Sequence, residues 1–123
     1  MRAVRCQELS GPASLRVDEI DEPIAGDGEV LVDVRAAGVN FPDVLVTRGK
    51  YQFKSAPPFV PGGEVAGVVA AVGAGVTGFA PGDRVAATML QGAFAERVVV
   101  PALAAARLPD AVGFEVGAAT LLT

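Results

Sequence analysis

The stretch EVLVDVRAAG, Glu29 to Gly38, decides the reading of this 123-residue chain. Val30, Val32 and Val34 alternate with Leu31, Asp33 and Arg35, so an extended backbone puts three valines on one face and both charges on the other. That period of two marks a strand with one buried side. Turn residues precede it in GDGE, and shorter runs of the same kind surround it: RAVRC, SLRVDEI, EVAGVVAAV, DRVAAT, AFAERVVV and AAARL. They are punctuated by PPFVPGG, GAGVTG, APGD and LPDAVG. Many short strands joined at Gly and Pro corners imply a mainly β domain, a barrel or a sandwich. One helix is expected at NFPDVLVTRG, with Asn40 as N-cap, Pro42 in the first turn, Asp43 favourable to the helix dipole and Gly49 at the end.

Composition narrows the function classes. Hydrophobic residues make up 51% of the chain, with 15 Gly and 9 Pro, which fits one compact, turn-rich domain over residues 1–123. Fourteen acidic against ten basic residues give a net charge of −4, which argues against a nucleic-acid surface. No apolar run is long enough to span a bilayer, and the single cysteine, Cys6, excludes an internal disulfide. A soluble, cytoplasmic protein with Cys6 as a small buried apolar residue is the expectation. Histidine is absent altogether. Triads built on His are therefore excluded, and one Cys without His cannot build a zinc site from within the chain.

Gly73, Gly75 and Gly78 in GAGVTG satisfy the dinucleotide fingerprint G-x-G-x-x-G, but FAPGDRV follows, and its Pro81 and Gly82 forbid the helix that would hold a pyrophosphate. A turn between strands is expected instead. At the other end FEVGAATLLT reads as a helix with apolar residues on nearly every side and no capping Gly or polar tail. We expect this helix to lead toward a neighbouring domain, the chain being a piece of something longer. Its exposed apolar surface predicts self-association.

PFVPGGEVAGVV, Pro58 to Val69, carries one carboxylate, Glu64, among Gly, Pro and aliphatic residues. Burial of an ionised carboxylate costs several kcal/mol by order of magnitude unless hydrogen bonds offset it, so this Glu is either paired inside or exposed at a strand edge.

In order, AAGVNFPDVLVTRGKY, PFVPGGEVAGVVAAVG, GVTGFAPGDRV, GAFAERVVVP and LPDAVGFEVGAA resemble the N-terminal GroES-like domain of the medium-chain dehydrogenase/reductase superfamily, and within it the zinc-free quinone oxidoreductase branch. The resemblance covers essentially the whole chain. It implies a partly open β-barrel with one or two short helices, joined through the C-terminal helix to a Rossmann domain, absent from this sequence, that supplies most of the NADPH site. It also implies hydride transfer from NADPH to a quinone or enone. The isolated fragment is expected to be inactive, and the intact enzyme a homo-oligomer.

Residue by residue, the zinc-dependent relatives have a histidine ligand where this chain has Gly63 and a cysteine ligand where it has Asn40. The cysteine-rich structural-zinc lobe is replaced by the direct passage ATMLQGAFAE. The resemblance makes Asn40 and Tyr51 the catalytic and cofactor-side residues, an amide that can orient a carboxamide or meet an oxyanion, and a flat ring suited to a quinone. Asp43, Leu45 and Glu64 are the expected substrate-cleft residues. Leu45 stands where many quinone oxidoreductases carry another tyrosine, which makes that wall more aliphatic. The basic loop RGKYQFK, with Arg48, Lys50 and Lys54, is taken as solvated. Two alternatives stay open: a reductase of enoyl thioesters or alkenals from the same superfamily, and a non-enzymatic GroES-like interaction module.

Overall fold

The computed structural model describes residues 1–52 and 56–121. Seven strands and two short helices follow one another: β1 Arg2–Cys6, β2 Leu15–Glu19, β3 Glu29–Gly38, α1 Phe41–Thr47, β4 Glu64–Val72, β5 Arg84–Thr88, β6 Arg97–Pro101, β7 Ala105–Arg107 and α2 Phe114–Ala118. All strand pairs are antiparallel. β1 and β2 form a hairpin, and the other five make a sheet in the order β6-β3-β4-β5-β7. Isolated bridges, Ala3 to Ala95 and Cys6 to Phe59, tie the hairpin to the segments just before β6 and β4, and the two sheets together make a partly open barrel.

The alternation in β3 works as its sequence implies. Val30 and Val32 are fully buried in a cluster with Val65, Val69, Val85, Val98 and Val100, and Val34 packs on its edge. Full burial of each valine contributes about 1.5–3 kcal/mol relative to exposure. Halfway along, the pattern changes. The register jumps between Val34, opposite Gly67, and Ala36, opposite Ala66, leaving Arg35 as the extra residue of a bulge. Before the bulge the even-numbered residues face the core. After it Ala37 takes that side, and Ala36 packs on the opposite face, against Ala66, Ala86 and Ala118.

That second face is where α2 sits. Its alanines let the short helix approach closely, and a Cβ on Gly117 would come within 2.8 Å of Leu108 Cδ1. Arg84 pins the approach: its guanidinium lies 4.4 Å over the Phe114 ring and donates to the carbonyls of Pro109 and Val112, both at 2.7 Å. The expected helix over 114–123 is shorter. It ends at Ala118, buries Gly117 and Ala118, and leaves Val116 and Leu121 exposed; Leu122 and Thr123 lie outside the described residues.

β6 also starts later than its apolar run suggests. The N–H groups of Ala93 and Phe94 go to the carbonyls of Gly62 and Pro61, so these residues brace the PGG turn instead of extending the strand. GAGVTG is a connection between β4 and β5 with no helix after it; Gly75 adopts φ +82°, and the turn closes with Gly82 N–H on Val69 O. Cys6 is buried, its thiol 3.1 Å from Glu8 O. No helix among the described residues is long and apolar enough to cross a membrane.

Candidate functional site

Asn40 stands at the N-cap of α1 with extended backbone (φ −125°, ψ 161°), held from two sides by carboxylates. Its backbone N–H donates to Asp43 Oδ2 at 2.8 Å, the return arm of a capping box. Its side-chain Nδ2 donates to Glu64 Oε1 at 2.9 Å. Asp43's own N–H goes to the Asn40 backbone carbonyl at 3.0 Å and also faces the Asn40 side chain. The N-cap expectation is met, and the amide additionally bridges α1 to β4.

Glu64 resolves into the paired alternative. It is 1% exposed, at the first position of β4 between Gly38 of β3 and Thr88 of β5. Gly38 is what makes room for it. A Cβ there would run into Glu64 Oε1 and come within 2.7 Å of the Ala118 carbonyl, so the carboxylate occupies a slot between β3 and α2 that only glycine leaves open.

In front of Asn40 lies a cleft of about 200 Å³ lined by Asn40, Pro42, Asp43, Val46, Tyr51, Gly63, Met89 and Leu90. Tyr51 belongs to this wall while its ring packs on the cluster of Cys6, Val46 and Phe59. Asp43's carboxyl is half-buried, and burial raises its pKa above the ordinary 3.8; the nearby Glu64 charge adds to the rise and the Asn40 N–H hydrogen bond opposes it. A wider groove of about 400 Å³ lies beside β6, between Ile20, Phe59 and Val99. Volume does not choose between them. The smaller cleft is where an amide, a phenol and a perturbed carboxyl converge, which is the mark of a ligand site.

Of the five residues expected at the site, the structure brings Asn40, Asp43 and Tyr51 to the cleft wall. Glu64 lies behind Asn40 and not in that wall. Leu45, half-buried on α1, is not part of the wall either. Pro42, Val46, Met89 and Leu90 were not foreseen. Met89 arrives through strand pairing, its N–H on Gly63 O at 2.9 Å just past the Glu64–Thr88 pair, and only the β4–β5 register could have announced it. Arg48 and Lys50 are exposed, as the solvated reading of their loop has it, while Phe53 and Lys54 lie outside the described residues.

Residues 26–110 match the alcohol dehydrogenase GroES-like domain family. The chain belongs to that family. Within it, this GroES-like domain is 39% identical over 121 residues to human quinone oxidoreductase, covering 97% of this chain and 37% of the human protein. The structure of Escherichia coli quinone oxidoreductase complexed with NADPH superposes with a TM-score of 0.94 at 32% identity, over 99% of this chain and 37% of that one. An erythronolide synthase of Saccharopolyspora erythraea is 50% identical over 92 residues, 75% of this chain and 2% of the synthase. The GroES-like domain thus spans little more than a third of the length of the quinone oxidoreductases it matches, and these relatives place it in the medium-chain dehydrogenase/reductase superfamily.

Proposed function

We propose that this GroES-like domain forms the substrate side of a zinc-independent, NADPH-dependent quinone oxidoreductase. The observation that carries the reading is the cleft at the α1 N-terminus, where Asn40 and Tyr51 share a wall with the apolar Val46, Met89 and Leu90. A flat ring carrying polar atoms at both ends suits such a wall: aliphatic side chains take its faces, and an amide and a phenol take its oxygens.

The cleft admits the nicotinamide end of NADPH and not the whole dinucleotide. Its volume is about 200 Å³, and the Gly73–Gly78 turn has no helix behind it to receive a pyrophosphate. Asn40 and Tyr51 are the residues that would meet that end, the rest being held outside this chain. When bound, NADPH supplies a hydride. Asn40 then orients a carboxamide or a quinone oxygen, Tyr51 or water delivers the proton that completes the hydroquinone, and the apolar wall keeps bulk water from the ring. At the positions where zinc-dependent relatives carry ligands this chain offers a glycine and an amide already engaged to Glu64, which is not a donor set for zinc.

A second reading, reduction of an alkenal or enoyl thioester, is favoured by the aliphatic share of the wall, Pro42, Val46, Met89 and Leu90. One experiment separates the two. This chain is grafted in place of the corresponding segment of the Escherichia coli enzyme, and NADPH oxidation is followed with a benzoquinone and with a crotonyl thioester. Quinone-dependent oxidation that falls about 10²–10³-fold in Asn40→Ala is the expected result. A folded chimera that oxidises NADPH only with the thioester would establish the second reading, and one active with neither would sink both.

A further inference from the structure

Among the described residues Glu64 is the most deeply buried acidic or basic side chain, at 1% exposure, yet it does not line the cleft. What it touches is the amide that does. The Asn40 Nδ2 donates to Glu64 Oε1 at 2.9 Å, so the group facing the carboxyl is the amide NH₂ and not the amide carbonyl. On the other side the capping box brings Asp43's backbone N–H, which is bonded to the Asn40 backbone carbonyl at 3.0 Å, to face the same side chain, and a donor there suits the amide oxygen better than its NH₂. Turning the amide over would set oxygen against oxygen at Glu64 and N–H against N–H at the helix start. The bulge at Arg35 and the missing Cβ of Gly38 exist in the right places to admit the carboxylate that enforces this choice.

We propose that Glu64 is a positioning residue that holds the Asn40 amide in one of its two orientations, so that the cleft offers a ligand a fixed pattern of donor and acceptor. The inference rests on the cleft being the ligand site, as proposed above, but its first readout needs no ligand. Asn40 is the only asparagine in the chain. The 123-residue chain labelled with ¹⁵N at asparagine alone therefore gives a single side-chain amide pair. In the wild type one of its two hydrogens exchanges with solvent about tenfold or more slowly than a free amide, as a hydrogen bond to a buried carboxyl oxygen demands. In Glu64→Gln, with the fold verified by circular dichroism, that protection is lost and a second set of signals reports the flipped amide, because Gln can both donate and accept. Gly38→Ala, which displaces the carboxylate from the other side, does the same.

In these samples the affinity for duroquinone, read from tyrosine fluorescence, falls about tenfold in Glu64→Gln. Unprotected hydrogens in the wild type would overturn the proposal even if neither variant folds. A Glu64→Gln chain with an unchanged amide pair would do so too, since Glu64 would then merely fill its slot. A protected, singly oriented amide in a chain that binds no duroquinone would leave the positioning intact and count against the quinone reading alone.

Discussion

At the residue scale, one carboxyl group in an apolar strand depends on the space that Gly38 leaves for it. Because the Cβ of an alanine at position 38 would meet both the Glu64 carboxylate and the Ala118 carbonyl, Gly38→Ala should destabilise the domain by roughly 1–3 kcal/mol, measured by urea unfolding. An unchanged midpoint would mean that α2 and Glu64 are not packed on β3 as described. Asp43 makes a prediction in pH. The folded state holds its proton more tightly than the unfolded chain does, so the favourable contribution of the protonated form is complete below about pH 3.8 and is lost as pH rises through the raised folded value. Asp43→Asn does not titrate and still offers a carbonyl to the Asn40 N–H. Wild type should therefore lose stability relative to Asp43→Asn across that window as pH rises, in a series of urea midpoints. A gap that stays constant, or moves the other way, contradicts the assignment of burial and Glu64 as the causes.

At the scale of elements, α2 is only five residues long and depends on what it leans against. Arg84 provides the stacking on Phe114 and both donors to the preceding loop, so Arg84→Ala should cost about 1–2 kcal/mol and speed amide exchange across 113–118 more than elsewhere. Uniform exchange throughout the sheet would show that Arg84 does not hold the helix. Elements of this kind also mark what can be read from sequence alone. β3 and β4 were legible at their full lengths, because alternating or continuous aliphatic runs between turn residues carry their own signal. The bulge at Arg35 was not: strict alternation through Gly38 puts that glycine on the valine side, whereas the register shift turns it toward α2 and Glu64. In the same way Asn40 and Tyr51 could be singled out by resemblance. Met89 and Leu90 came to the cleft only through the pairing of β4 with β5, which no local pattern encodes. The C-terminal run was read as a longer helix because apolar periodicity says nothing of where packing against the sheet ends.

At the scale of the whole molecule, an open barrel of small aliphatic residues supports the Asn40 cleft, and α2 covers the buried carboxyl group behind it. The barrel supplies rigidity: β3, β4 and β5 fix Gly38, Glu64 and Thr88 in one row, and α1 hangs Asn40 in front of them. The central claim is that a flat, two-ended acceptor binds in that cleft. It is tested most directly by titrating the uniformly ¹⁵N-labelled chain with duroquinone and mapping the shifted signals. The account predicts saturable shifts concentrated at Asn40, including its side-chain amide, and at Tyr51, Gly63, Met89 and Leu90, with the β6 groove around Ile20 and Val99 unmoved. Shifts centred on that groove, or none at any concentration, would contradict it.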